Sequence, residues 1–369
     1  MKIGILTASV GNFGSKQFYN AQDIGLGKAL SQYVDVVEIY KLIPIGQQSR
    51  HERLDGFGNV TVHMLPSKKI GVNGFPDLKA FDTSIDVLIF FSDTQLCVGK
   101  VCRWAKRNNI AVFPYVGVLE SHSSNPIAKK IMDLLSMNNM RIYRKYRCFA
   151  KTTYIGRKLH NHGVSNVTVA PVGLDLNALN AGHEYNDIVD PAKYGFSSAD
   201  NVVLFIGRMI EEKQPLQMID LFRKLHKARS SYKLLMVGTG PLQEEVRNRI
   251  RAYDLTYSVA MIDRIPNADM WELYRIAKCF VNLNRREIFG MAILEAMYYG
   301  CKVVAWHAPG PDMIIENGIS GYLVSNEADM ISAILSSDND SLLKAAYSRV
   351  LDRFTWNKTA DMMMRYIVQ

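Results

Sequence analysis

"CFVNLNRREIFGMAILEAMYYGCKVVAW", residues 279–306, reads in four pieces: an apolar run CFVNLN (279–284), a polar loop RREIFG (285–290), a helix-length MAILEAMYYG (291–300) and a second apolar run KVVAW (302–306). A helix between two short apolar strands is a crossover connection, which joins parallel strands in a sheet covered on both faces. The helix stops at Gly300, where a left-handed residue ends it at little steric cost. Glu287 then falls in a loop at a strand's carboxyl end and Glu295 about one turn into the helix. In open α/β sheets that edge is where ligands bind. If the whole stretch were helical, the two carboxylates would stand roughly 12 Å apart, beyond the ~5 to 9.5 Å used by paired glycosidase acids. They are therefore expected to contact different parts of one long ligand. The helix amino terminus at Gly290 and Met291 offers free N–H groups and a positive dipole end, which suit a diphosphate. Polyhydroxyl sugar, diphosphate and ribose together describe a nucleotide sugar.

Outward from this stretch the same alternation continues. Apolar runs occur at 2–9, 34–40, 59–65, 86–91, 111–117, 148–155 and 166–172, and again at 201–207, 233–238, 257–262, 279–284, 302–306 and 321–324. Amphipathic segments such as 214–229 and 241–253 separate them, which predicts two α/β domains with parallel sheets. The stretch "PVGLDLNALNAGHEYND" (171–187) has no clear period and marks the boundary. The expected domains are 1–172 and 173–355, with a last helix over 356–369 returning to the first.

At 369 residues and 48% hydrophobic, the chain is long enough for two cores. No apolar run approaches the ~20 residues of a membrane span, and "MKIGILTASVGNFG" reads as a first strand and loop rather than a secretion signal, so a cytosolic protein is expected. Five cysteines without CxxC spacing indicate buried thiols rather than disulfides or a zinc site. Residues 1–170 hold 22 Lys+Arg against 11 Asp+Glu, whereas 171–369 hold 22 against 24, so the +9 net charge belongs to the first half. Six basic residues fall in "KKIMDLLSMNNMRIYRKYR" (129–147), interleaved with Tyr143 and Tyr146, a pattern that suits an anionic membrane surface on the inner face of the plasma membrane. Arg141, Arg144, Lys145 and Arg147 are the residues expected to meet it. No nucleic-acid partner is expected.

With Glu287 and Glu295 placed, "FIGRMIEEKQP" (205–215), "VGTGP" (237–241) and "APGPDMIIENGISGYLV" (308–324) complete a pattern that resembles the carboxyl domain of retaining GT-B glycosyltransferases of family four. The amino domain is similar more loosely, through the "GNFGS" loop, "YVGVLESH" and "PVGLD". The resemblance implies two facing Rossmann-like domains, the donor on the second and the acceptor on the first. It gives Arg208 and Lys213 to the diphosphate, Glu287 to donor-sugar hydroxyls, the main chain of Phe289 and Gly290 to the sugar, the Met291 and Ala292 amides to the diphosphate and Glu295 to the ribose. Arg264, Ile265 and Gly14 count as further donor-binding residues, and His122 as the histidine near the donor sugar's primary alcohol. Glu120 is expected to face the acceptor. The implied reaction is transfer of a hexose, from a UDP-sugar by preference, to a sugar hydroxyl of a glycan that a lipid could carry. Two fixed cations would replace a metal, and neither metal nor cofactor is expected. Departures from the family pattern are Ile288, Pro309 and Asp312.

Three other signals read as structural. Asp338, Asn339 and Asp340 form a DxD that follows no strand and is expected to be a solvated turn. His160 and His162 are expected on the surface. Gly238 and Gly240 lack the third glycine of a dinucleotide fingerprint, since Gln243 stands there. Two rival functions share the scaffold: a nucleotide-sugar epimerase or phosphorylase-like enzyme, and a non-catalytic partner subunit.

Overall fold

The computed structural model describes residues 1–11, 21–71, 73–120, 126–183, 187–337 and 340–369. Contacts divide it into two units, one formed by Met1–Asp175 with Thr355–Gln369 and the other by Leu176–Phe354.

The first unit contains β1 (Lys2–Val10), β2 (Val36–Pro44), β3 (Arg50–Leu54), β4 (Phe57–Ile70), β5 (Asn73–Phe75), β6 (Val87–Phe91), β7 (Ala111–Val116), β8 (Cys148–Ala150) and β9 (Val167–Val169). Parallel pairing runs β4-β2-β1-β6-β7-β8-β9. β6, at its centre, is buried at every residue, as a strand covered on both faces must be. β3 lies antiparallel on β4, and β5 lies antiparallel to β4 and to the end of β1, where Ser9 faces Asn73.

Two features depart from the sequence reading. The strand expected over 148–155 ends at Ala150, because the Thr152 hydroxyl accepts the Ile155 N–H at 3.2 Å and caps a helix over Thr153–Asn161. A capping threonine here outweighs the strand preference of the β-branched residues behind it. The β3–β4 hairpin went unread although Asp55-Gly56 is a strong two-residue turn signal; Leu54 faces Phe57 across it and Gly56 adopts φ +76°. The polar sequence of β3 hid it, yet polar side chains suit a strand at a sheet edge.

The first unit is closed by the helix Trp356–Ile367. Trp356 N–H donates to Leu174 O at 3.2 Å and Thr359 Oγ1 donates to Pro171 O at 2.6 Å. The Trp356 indole fills the space a side chain at Gly25 would need, its Nε1 only 2.2 Å from where a Cβ would sit.

The second unit contains β10 (Asn201–Ile206), β11 (Tyr232–Val237), β12 (Val259–Ile262), β13 (Ala277–Asn282), β14 (Lys302–Trp306) and β15 (Tyr322–Val324), in the order β12-β11-β10-β13-β14-β15. Every pairing is parallel. This is a doubly wound sheet whose strand order reverses between β10 and β13, and such sheets bind ligands outside the carboxyl ends of the strands at the reversal. Helices Pro215–Ala228 and Gln243–Ala252 occupy the two segments read as amphipathic, and bury Met218, Leu221, Phe222, Leu225 and Val246 in the core.

All five cysteines are buried, and burial pushes the thiols of Cys97 and Cys148 up to about 12 and that of Cys102 to about 11. They are inert packing residues.

Candidate functional site

The reversal point of the second sheet is assembled from three loops. After β10 come Gly207, Arg208 and Met209; after β11, Gly238, Thr239 and Gly240; after β13, residues 283–290. The first two loops lie backbone on backbone: Met209 N–H donates to Thr239 O at 2.9 Å, and a Cβ at Gly238 would stand 2.0 Å from Gly207 O. Gly238 also adopts φ +136°, which side-chain-bearing residues rarely reach. The glycines of "VGTGP" therefore serve close approach of two loops rather than a dinucleotide.

Lys213 closes a short helical turn over Glu211–Lys213, and its Nζ donates to Glu287 Oε2 at 2.6 Å. The same oxygen receives Asn284 Nδ2 at 3.2 Å and Asn282 Nδ2 at 3.5 Å. Asn282 Oδ1 accepts the Asn284 N–H and Asn284 Oδ1 accepts the Arg286 N–H, each at 2.9 Å, so two asparagines both shape the loop and aim the glutamate. Glu287 Oε1 takes no donor among the described residues. Arg208, exposed beside this pair, has no ion-pair partner among the described residues.

Gly290 adopts φ +105° and starts the helix Met291–Tyr298, so the Met291 and Ala292 amides are first-turn donors with no carbonyl inside the helix to bond. Gly310 N–H donates to Glu287 O at 2.8 Å and pins the Glu287–Phe289 backbone against the loop after β14. Glu295 is only 9% exposed, and its Oε2 accepts the hydroxyl of buried Tyr274 at 2.8 Å. Arg264 and Ile265 follow β12, two strands from the reversal, the first exposed and the second partly buried. Asp312 pairs with His307 at 2.7 Å on an exposed turn.

Gly14 and His122 lie outside the described residues, as do Asp338 and Asn339. In the first unit Glu120 pairs with Lys158, whose hydrogen bond lowers the glutamate's pKa, and both line a cavity of about 270 Å³ together with Leu119, Met137 and Met140. The basic stretch is corrected in part. Tyr143 is fully buried, its hydroxyl donating to Ser92 Oγ at 2.9 Å, because it lies on the inward stripe of the helix Pro126–Tyr143. Arg147 donates to Tyr366 O and lies 4.1 Å over the Tyr366 ring, holding the last helix. Arg141, Arg144 and Lys145 are exposed.

Sequence reasoning passed over Asn282, Asn284 and Tyr274. An asparagine ending an apolar strand was a usable signal for the first two; nothing in the sequence tied Tyr274 to a glutamate 21 positions away. Among the described residues no three metal-ligating side chains are grouped to hold an ion, and no helix is long and apolar enough to cross a membrane.

Two units, the second doubly wound with a cation–carboxylate pair at its reversal point, define the GT-B class. Anabaena Alr3699/HepE, solved in complex with UDP and glucose, shares the fold with a TM-score of 0.70 at 16% identity, covering 100% of this chain and 99% of that one. Residues 187–344 match the family described as glycosyl transferases group 1. The D-inositol 3-phosphate glycosyltransferase of Segniliparus rotundus is 25% identical over 208 residues, 54% of this chain and 46% of that protein. The amylovoran biosynthesis glycosyltransferase AmsD of Erwinia amylovora is 27% identical over 168 residues, 45% of each. The chain thus spans about half the length of the curated relatives it matches.

Proposed function

We propose that the protein is a retaining, metal-independent hexosyltransferase that moves a hexose from a UDP-sugar to a hydroxyl of a growing glycan. The Lys213–Glu287 pair supports this reading, because an ammonium and a carboxylate meet on adjacent loops of one sheet edge, a combination that suits a diphosphate beside a sugar. Arg208, Lys213 and the Met291 and Ala292 amides balance the developing charge of the leaving diphosphate, so no metal is needed for it. Glu287 Oε1 accepts a hexose hydroxyl, and Glu295, held by Tyr274, accepts the ribose hydroxyls. The bond from the anomeric carbon to the phosphate oxygen breaks with its electrons leaving on UDP. A bond to the acceptor oxygen forms on the same face, and the acceptor proton passes to a leaving phosphate oxygen. The UDP and glucose held by Alr3699/HepE support the donor, and the naming of AmsD for amylovoran biosynthesis supports a glycan acceptor.

The test is UDP release from UDP-hexoses with and without chelator, with the product anomer read by NMR. Retained configuration and chelator-insensitive turnover are expected; inversion or a strict need for Mn²⁺ or Mg²⁺ overturns the mechanism. Epimerised sugar without acceptor returns the epimerase, and failure of every nucleoside diphosphate to raise the Tm returns the non-catalytic partner. A lipid-linked acceptor is part of the proposal, with exposed Arg141, Arg144 and Lys145 docking on anionic lipid at about 1 kcal/mol each. Cosedimentation with anionic but not neutral vesicles, abolished by high salt and by neutralising those three residues, is the expected result; equal pelleting with both vesicles removes the membrane from the proposal.

A further inference from the structure

The helix Met291–Tyr298 is gripped at its far end by the segment that opens the second unit. That segment, Leu176 to His183, follows Asp175, where the first unit breaks off. Tyr298 ends the helix and Tyr299 caps it, and both are tied to the segment. Tyr299 donates its hydroxyl to Leu179 O at 2.9 Å. Asn180 Nδ2 donates to the Tyr298 hydroxyl oxygen at 2.8 Å, and that hydroxyl donates to Asn180 Oδ1 at 3.1 Å. His183 adds another link, with Nε2 3.4 Å from the Tyr299 hydroxyl oxygen. The Tyr299 hydrogen is committed to Leu179 O, so the histidine is the donor. Its ring lies flat on Trp271, 4.0 Å between centroids and 3° between planes.

The Tyr299 ring in turn backs Tyr274. The two are stacked at 5.9 Å and 12° from parallel, and the Tyr274 hydroxyl donates to Glu295 Oε2 at 2.8 Å. A continuous file of side chains, Trp271, His183, Tyr299, Tyr274 and Glu295, therefore leads from the opening segment to the carboxylate. Tyr274, Tyr298 and Tyr299 are all buried. Phenylalanines would fill such a core as well, yet each hydroxyl has a partner: a main-chain carbonyl for Tyr299, an amide side chain for Tyr298 and Glu295 for Tyr274. Buried hydroxyls are costly unless bonded, and a bonded one fixes a direction that apolar packing leaves loose.

We propose that Tyr299 is a positioning residue for the nucleotide: the segment from Leu176 to His183 fixes its ring, the ring fixes Tyr274, and Tyr274 sets the rotamer in which Glu295 receives the ribose hydroxyls. The inference rests on the donor reading and adds a control on it from outside the sheet edge. Such coupling is reciprocal. If the segment steadies Glu295 for a ribose, a ribose at Glu295 steadies the segment by the same free energy.

The experiment titrates the full chain with UDP and with its 2′,3′-dideoxy analogue, which lacks the hydroxyls assigned to Glu295. The wild type is expected to bind UDP about 30-fold more tightly than the analogue, the size of hydrogen bonds to a charged group. Tyr299→Phe keeps the ring but loses the bond to Leu179, and is expected to weaken UDP about threefold. Tyr299→Leu also removes the stack and is expected to weaken UDP about tenfold. Both variants are expected to bind the analogue like the wild type, because the file ends on a group the analogue does not touch. Hydrogen exchange gives the reciprocal readout: UDP, but not the analogue, is expected to slow the amides of residues 176–183, and Tyr299→Phe to abolish that slowing. Tyr299→Phe removes one atom, so the test stands even if Tyr299→Leu fails to fold. The inference is overturned if the folded variants lose affinity for both ligands alike, as a general loosening of the core would cause, if they bind UDP like the wild type, or if UDP leaves exchange in the segment unchanged. A wild type that binds UDP and the analogue equally would instead sink the ribose role of Glu295, and one that binds neither would sink the donor reading, so the failures are told apart.

Discussion

The two carboxyl edges are built from different materials. In the second unit, loops touch through bare backbone as well as through the Lys213–Glu287 pair: Gly238 rests on Gly207 O, and Gly310 would put a Cβ 1.9 Å from Phe289 O. In the first, side chains do the joining, with Asp93 tying β6 to β7 and Gln95 tying β6 to β1. On the proposed function, backbone amides and dipoles at the first kind of edge meet the donor's diphosphate. Side chains at the second can vary without disturbing the strands.

The sharpest test of that contrast exchanges one hydrogen for a methyl on each side. Gly238→Ala meets a carbonyl and an unfavourable φ at once, with an expected cost of about 3–5 kcal/mol and a Tm lower by about 10 °C. Gly117→Ala meets the aliphatic stem of Lys151, 2.4 Å from the new Cβ, which can swing aside, so about 1 kcal/mol is expected. Thermal unfolding of both variants checks the pair, and equal losses would erase the distinction. Next in size, Arg208→Ala is expected to lower turnover about 100-fold while chelator leaves the wild type unchanged. UDP release measured under both conditions decides it.

Smaller effects separate the two glutamates. Glu295→Ala is expected to weaken UDP binding about 30-fold and Tyr274→Phe about fivefold, since the tyrosine acts only through the glutamate it holds. Glu287→Gln is expected to spare UDP affinity and depress turnover. Titration of UDP into the three variants is the measurement, and equal losses for Glu287→Gln and Glu295→Ala would reject separate roles.

The smallest effect belongs to the opposite, amino edge of the first sheet, where a hydrogen bond from Lys2 holds the Asp82 carboxyl down at about 2. A carboxyl lowered from its ordinary ~4 contributes stability that is present above ~4 and lost as pH falls through about 2. Partial exposure keeps that contribution small. Asp82→Asn is expected to flatten acid unfolding over that window and leave UDP affinity at neutral pH unchanged, as followed by circular dichroism and titration.

The same contrast in materials decides how much could be read from the chain alone. The carboxyl edge of the second sheet was legible because glycines and charged residues follow apolar runs: Gly238 and Arg208 stand within two residues of a strand end, and Lys213, Glu287 and Gly290 lie in the loops that follow. The alternation of apolar runs likewise displayed both parallel sheets. Strand ends hidden by local capping, such as Thr152, and the polar edge strand β3 were not legible, because a single hydroxyl or a turn decided them. Asp93 and Gln95 gave no signal, since their meaning comes from Gly117 and Ser9, residues far away in the chain. Tyr143 was misjudged because a basic neighbourhood says nothing of which stripe of the helix faces inward.

The return of the helix Trp356–Ile367 to the first unit reaches beyond the finished molecule to its synthesis. A ribosome that has released Asp175 has made every strand of the first sheet but not the helix whose Trp356 fills the groove at Gly25. Domains fold as units during translation, amino-terminal ones first as a rule. Here the chain order is different: every residue of the second unit, Leu176–Phe354, is made before the helix that completes the first. Of these two units, the one begun earlier is finished later.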